Sequence, residues 1–275
     1  MKVGMLYQYH MDHCVLMQRF SEINGQADIF EVLAIHFMKG PQEFREFSAW
    51  LGDPEMTIHS GFLQLGNSNL EEMKSKTKKL EQLVKSCNCC YVGEHLTTMG
   101  GNGCESGTFL PSIISSKQFH RFIENISIAN SHLSCPMILE NPVEFFQYAR
   151  EYSPAKFFNL ICSESNTKIL LSLSNIIMSE KYHDHFDRYD FISQINLEDV
   201  YQVHIYLNNE AEERQAPKIR EKQKWLLETL EFLLGYDSFK PKSILFETVA
   251  ETKNLVEPER LHEVMSHFRT LGREN

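Results

Sequence analysis

CYVGEHLTTMGGNG, residues 90–103, begins as an apolar run, sets Glu94 and His95 side by side where that run ends, and passes into a glycine-rich loop. The same order recurs along the chain: an apolar stretch, then His, Glu or Asn, then irregular chain. Apolar content and the polar or turn residues that close each stretch pick out eight β-rich runs. They are VGMLYQY from Val3, IFEVLAIHF from Ile29, TIHSGFLQL from Thr57, CYVGEHL from Cys90, PMILEN from Pro136, KILLSLSNII from Lys168, VYQVHIYL from Val200 and KSILFETV from Lys242.

Helical segments lie between them. In SNLEEMKSKTKKLEQLVKS, Ser68 and Glu71 form a capping-box pattern, and Leu70, Met73, Leu80, Leu83 and Val84 line one face. PKIREKQKWLLETLEFLLG opens with Pro217, tolerated in a first turn, and closes at Gly235. Strands alternating with helices imply parallel pairing. Eight such units in 275 residues match a TIM barrel. The expected fold class is therefore α/β, one (β/α)8 barrel domain spanning residues 1–275. A doubly wound open sheet is the alternative, but the first strand lacks the G-x-G-x-x-G turn that a dinucleotide needs.

Composition limits the partners. With 42% hydrophobic and 23% charged side chains the chain can build a substantial core, and no Pro/Gly/Ser-rich linker divides it. A net charge of -10 offers no basic stripe for a phosphate backbone, which excludes nucleic acid as the expected partner. The start, MKVGMLYQYHMDHC, lacks the apolar core and cleavage site of a signal peptide, and no run approaches a membrane span, so a cytoplasmic protein is expected. Seven cysteines read as reduced thiols. Cys87, Cys89 and Cys90 in CNCC have no second Cys or Cys-His pair at zinc-finger spacing. Two of these thiols are expected within or just before a strand.

In a barrel the C-terminal strand ends share one mouth. Read in order, those ends carry His10, then Glu31 and His36, His59, Glu94 and His95, Glu140 and Asn141, Ser172 and Asn175, His204, and Glu247. Imidazole and carboxylate form a ligand set for iron, manganese or zinc. A lone strand His is more often a hydrogen-bonded core residue than a ligand. Buried Glu is different, because an unpaired carboxylate in an apolar site needs a cation or a proton. Glu140 after MIL and Glu247 after ILF are such cases, and an Arg or Lys salt bridge would answer either one alone. Together with His59, His95 and His204 at equivalent positions, they favour a metal. Two further segments are open. His183, Asp184, His185 and Asp187 in KYHDHFDRYD form a metal-binding or merely solvated loop. GGNGCESG, with Gly100, Gly101 and Cys104, is a flexible lid or substrate entry without the Lys-Ser/Thr end of a P-loop.

Five segments in order, TIHSGFLQLG, VGEHL, MILENP, QVHIYL and LFET, resemble the signature segments of the multinuclear non-haem iron-dependent oxidative enzymes, the family that includes the iron enzyme of methanobactin biosynthesis. The resemblance runs from VGMLYQYH to the last strand. It implies a TIM barrel holding two or three iron ions that uses dioxygen to modify a ribosomally made precursor peptide, often at Cys, commonly with a partner protein or domain that presents the peptide. On that resemblance His59, His95, Glu140, His204 and Glu247 fall on metal-site positions, and Glu94 and Asn141 on ligand or supporting positions. The chain also departs from the family. SLSN replaces Asp-Val-Asn-Asn, so Ser172 stands where a carboxylate is usual and only Asn175 matches, and NNEAEERQAPKIREKQ holds no counterpart of a further Asp-x-His element. Fewer ligands imply fewer metals or a weaker site.

Three functions follow as expectations. The first is iron-dependent, dioxygen-using oxidation of a precursor peptide. The second is a divalent-metal isomerase or hydrolase of the xylose-isomerase-like barrel type, with the metal as Lewis acid. The third is a degenerate, non-catalytic barrel that binds a peptide or partner protein.

Overall fold

The computed structural model of the protein describes residues 1–7, 11–37, 40–101, 104–146, 150–209, 213–214, 216–248 and 256–274. Strands β1 (Lys2–Tyr7), β2 (Phe30–Leu33), β3 (Met56–His59), β4 (Cys89–His95), β7 (Met137–Glu140), β8 (Lys168–Ser172), β9 (Val200–Tyr206) and β10 (Ser243–Glu247) are parallel and close into a barrel in sequence order, β10 pairing back onto β1. Between β4 and β7 an antiparallel hairpin, β5 (Thr97–Gly101) and β6 (Cys104–Pro111), stands outside the barrel sheet. The eight barrel strands are the eight apolar runs of the sequence, and the sheet is closed rather than open. Of GGNGCESG, expected as a flexible lid or substrate entry, residues 100–101 and 104–107 lie in the two strands of the hairpin, with Gly101 paired to Cys104.

Helices α1 (Met11–Glu22), α2 (Pro41–Trp50), α3 (Leu70–Val84), α4 (Ser116–His132), α5 (Pro154–Glu164), α6 (Leu173–Tyr182), α7 (Arg188–Gln194), α8 (Pro217–Leu234) and α9 (Pro258–Glu274) accompany the strands. Both faces of a barrel strand are buried, which is why the runs read as nearly continuous apolar sequence. The main core lies between strands and helices, with Val3, Met5, Val32, Ile58, Val92, Leu139, Leu171, Val203, Ile205 and Phe246 packed against Leu80, Phe122, Ile161 and Leu230. Alternate residues point inward. There Tyr91, Ile138 and Leu170 form a small apolar cluster of their own, and other inward positions carry buried polar groups: Glu31, Thr57, His59, Glu140, Gln202 and His204. Gly93 leaves the room these need. A Cβ there would sit 3.1 Å from Leu170 and 3.7 Å from the His59 ring.

The start of α3 differs by one residue from the capping pattern read in the sequence. Asn69, not Ser68, is the N-cap: its side chain accepts from the backbone N–H of Glu71 and Glu72, and Glu72 returns a bond to the Asn69 N–H. Ser68 is buried and donates to the Leu63 carbonyl at 2.6 Å, so its hydroxyl is engaged by the preceding turn. Leu70, expected on the packed face, is the first helical residue and is 49% exposed, while Met73, Leu80, Leu83 and Val84 face the core. Pro217 and Gly235 bound α8 as expected. No helix among the described residues is long and apolar enough to cross a membrane. Replacing Asn69 with Ala should cost about 1 kcal/mol of unfolding free energy by chemical denaturation, and Glu71→Ala much less. Equal losses would contradict the cap assignment.

Candidate metal centre

β3, β4, β7, β9 and β10 end at the same mouth; the last residues of β3, β4, β7 and β10, together with His204 two residues before the end of β9, meet around Glu140. Its carboxylate is 2% exposed. Oε2 lies 2.6 Å from His59 Nε2 and 3.0 Å from His95 Nδ1. Oε1 accepts from Asn175 Nδ2 at 3.0 Å and lies 3.8 Å from His204 Nδ1. Glu247 approaches from β10, its Oε1 3.4 Å from the same His204 nitrogen. His59, Glu140 and His204, all buried, each offer a ligand atom within 4.8 Å of the others. His95 joins this group through Glu140 and Glu247 through His204. The ring of His95 packs against Phe109 of the hairpin, centroids 4.5 Å apart.

Glu31, one of the sequence's strand-end residues but outside its proposed ligands, organises the far side. It is fully buried on β2, accepts from Thr57 Oγ1 at 2.9 Å and from Gln202 Nε2 at 2.7 Å, and its Oε1 lies 2.9 Å from His204 Nε2. Gln202 also reaches that ring nitrogen, at 2.6 Å. His204 Nε2 is thus occupied from below, and Nδ1 is left facing Glu140 and Glu247 with no hydrogen-bond partner. A buried ring nitrogen held between two carboxylates by charge rather than by a hydrogen bond, 3.4 Å from Glu247 and 3.8 Å from Glu140, suits a bound cation in place of its proton. The surrounding set of imidazoles and carboxylates is the kind that holds iron, manganese or zinc, so these residues fit such an ion.

The electrostatics agree. Burial opposes the charged form of Glu140, yet His95 and His59 hold its carboxyl well below the usual range. Burial likewise opposes charge on Glu31, which His204 and then His59 keep low. For His59, burial is outweighed by the hydrogen bond and charge of Glu140 and by Glu31, and its pKa is raised to about 9. His204 is raised well above its ordinary value because Glu31 and Glu247 outweigh burial. Without a cation, then, protons on imidazoles balance the carboxylates.

The other candidate residues take supporting positions. Glu94 turns from the cluster, accepting from Ser60 Oγ at 2.6 Å, Leu63 N at 3.1 Å and His95 N at 3.0 Å, and so fixes the turn after β3. Asn141 uses both ends of its amide on the Ser172 backbone. Ser172 caps α6 by accepting from Asn175 N. Asn175 donates to Glu140 and to the Asn141 carbonyl. His36 sits on a single helical turn, Ala34–Phe37, apart from the cluster. Asp187 caps α7 and His183 lies 3.2 Å from Arg150, and KYHDHFDRYD contributes to no metal-sized group among the described residues. Gly100, Gly101 and Cys104 belong to the hairpin backbone, but the Cys104 side chain and all of His10 lie outside the described residues.

A family model described as RiPP precursor modification enzyme MbnB/TglH/ChrH matches residues 3–215. The chain belongs to that family. His59, His95, Glu140 and His204 lie inside the matched stretch; Glu247 lies beyond it. Among curated proteins, a UPF0276 protein of Caulobacter vibrioides (strain NA1000 / CB15N) is 24% identical over 181 residues, 65% of this chain and 64% of that protein. One of Shewanella sediminis (strain HAW-EB3) is 23% identical over 192 residues, 69% and 68% of the two chains. The chain thus spans less than two thirds of the length of the Caulobacter relative. Two solved structures share the fold. D-psicose 3-epimerase in the presence of D-fructose has a TM-score of 0.58 at 14% identity, over 99% of both chains. Endonuclease IV from Thermus thermophilus has 0.56 at 15%, over all of both.

Two outcomes are expected. Because His59 titrates at about 9 in the metal-free centre, a divalent ion must displace its proton near neutral pH. Apparent affinity should therefore rise with pH and calorimetry in buffers of different ionisation enthalpy should register proton release; binding without proton release would contradict the assignment. Glu31→Gln keeps the packing but removes the charge behind His204, and should weaken binding by about 10-fold or more.

Proposed function

We propose that this chain is an iron-dependent, dioxygen-using enzyme that oxidatively modifies a ribosomally synthesised precursor peptide, at a Cys side chain. The observation that carries this reading is the buried Glu140 carboxylate shared by His59 and His95, with the unpartnered His204 Nδ1 facing it. His59, Glu140 and His204 would hold the metal, and His95 and Glu247 would complete its ligands. Iron there would supply the redox chemistry between dioxygen and the peptide.

The protein's own contribution is geometry and exclusion of water. Asn175 holds one Glu140 oxygen by a 3.0 Å bond, so the carboxylate keeps a fixed orientation towards the imidazoles. Glu31 and Gln202 fix the His204 ring from its other nitrogen. Phe109 covers one side of His95 at the mouth and makes that wall apolar. The hairpin backbone at Gly100, Gly101 and Cys104 would border the entry of the peptide, and a partner protein could present it there. With Ser172 committed to capping α6 and Asn141 to bridging β7 and β8, the centre should take fewer ions than the two or three of the family.

The test loads purified protein anaerobically with ferrous iron, then adds precursor peptide and oxygen. Oxygen consumption should accompany a change in peptide mass, and Glu140→Ala should lose both by more than about 100-fold along with bound iron. Turnover without oxygen and with magnesium or manganese would instead favour the Lewis-acid isomerase or hydrolase. Tight peptide binding with no retained metal would favour the non-catalytic barrel.

A further inference from the structure

Far from the mouth, at the opposite end of the barrel, three thiols that the sequence left unpaired come together. Cys87 follows α3, Cys89 opens β4, and Cys135 lies two residues before β7. On these parallel neighbours Val92 pairs with Met137, so Cys89 and Cys135 stand three and two residues before one register pair. Their Sγ atoms are 3.9 Å apart. Cys90 is the nearer neighbour of Cys135 by register, but the pleat turns it away: its Sγ donates to the Met56 carbonyl at 3.1 Å. Cys87 directs its Sγ to the Val84 carbonyl at 4.0 Å. Cys89 and Cys135 are both free thiols and neither residue is fully buried.

The two thiols are also unlike. The hydrogen bond from Cys89 draws the Cys135 thiol below its ordinary value, and the same contact, with Cys87, pushes Cys89 well up. Cys135 is therefore the partner that supplies a thiolate, the form that attacks disulfides.

We propose that Cys89 and Cys135 are a dithiol site that low-molecular-weight disulfides, of which oxidised glutathione is the type, convert reversibly into a disulfide tying the entry of β4 to that of β7. In the first step the Cys135 thiolate attacks one sulfur of the oxidant, forming a mixed disulfide and releasing one glutathione thiolate. Cys89 then gives up its proton to solvent, attacks the Cys135 sulfur and expels the second glutathione thiolate. Two protein thiols are oxidised and one glutathione disulfide is reduced to two thiols. The sulfurs close from 3.9 Å to about 2.0 Å, within the reach of side chains on adjacent strands. The bond would join the two ends of the segment that carries Glu94, His95 and the β5–β6 hairpin.

The site shares no residue with the metal centre, so its test is independent of the proposed oxidation. Metal-free, full-length protein is treated with oxidised glutathione, its free thiols counted, and its disulfides mapped by mass spectrometry after alkylation. The expected result is a loss of two free thiols with a Cys89–Cys135 linked peptide, unchanged in Cys87→Ser. Cys89→Ser should stop at a glutathione adduct on Cys135. An unreacted pair, separate glutathione adducts on both thiols, or a Cys87–Cys89 link in the unsubstituted protein would overturn the proposal.

Discussion

The structure depends on one electrostatic demand: the Glu140 carboxylate, buried at the end of β7, must be neutralised where water cannot do it. Removing an unpaired carboxylate from water costs several kcal/mol even after relaxation, and Glu31 repeats the demand across the barrel. A closed parallel barrel answers it by geometry. Its inward positions face one another across a narrow interior, so β3, β4 and β9 can each bring an imidazole to the same carboxylate. Gly93 belongs to the same solution, since a Cβ there would crowd Leu170 at 3.1 Å beside the His59 ring. The cluster is over-supplied with acids, and its histidines must carry either protons or a cation.

Around that centre the supporting bonds are directional and local. Asn175 holds Glu140, Asn141 joins β7 to the first turn of α6 through Ser172, and Glu94 fastens the turn that follows His59. These residues were candidates as ligands because they share the strand ends, yet their polar atoms are already used by the backbone around the mouth. Ser172 likewise spends its hydroxyl on the Asn175 N–H at the start of α6. The RiPP precursor modification enzyme family and the barrel fold are shared.

Much of this was legible in the sequence because a buried parallel strand is a short, one-dimensional signal. Each apolar run starts within one residue of a strand, although IFEVLAIHF, TIHSGFLQL and KILLSLSNII continue past the strand ends at Leu33, His59 and Ser172; of the polar residues that mark the mouth, His59, Glu140 and His204 do converge. What escaped were features set by a second element. The GGNGCESG segment carries too many glycines to announce strands, and it pairs only because residues 97–101 and 104–111 fold on each other. The cap of α3 moved to Asn69 because the preceding turn claims the Ser68 hydroxyl. Glu31 stood in an ordinary strand pattern, and only its approach to His204 from across the barrel marks it out. Cys135 is 46 positions from Cys89, a separation no spacing rule covers, while strand pairing makes them neighbours.

The most direct measurement is anomalous scattering at the iron edge from crystals of the ferrous-loaded protein. The account predicts a peak bounded by His59, Glu140 and His204, with His204 ligating through Nδ1 and Glu31 remaining on its Nε2. A well-ordered structure in which that space holds no metal, or in which iron is bound elsewhere while His204 Nδ1 carries a proton, would contradict it.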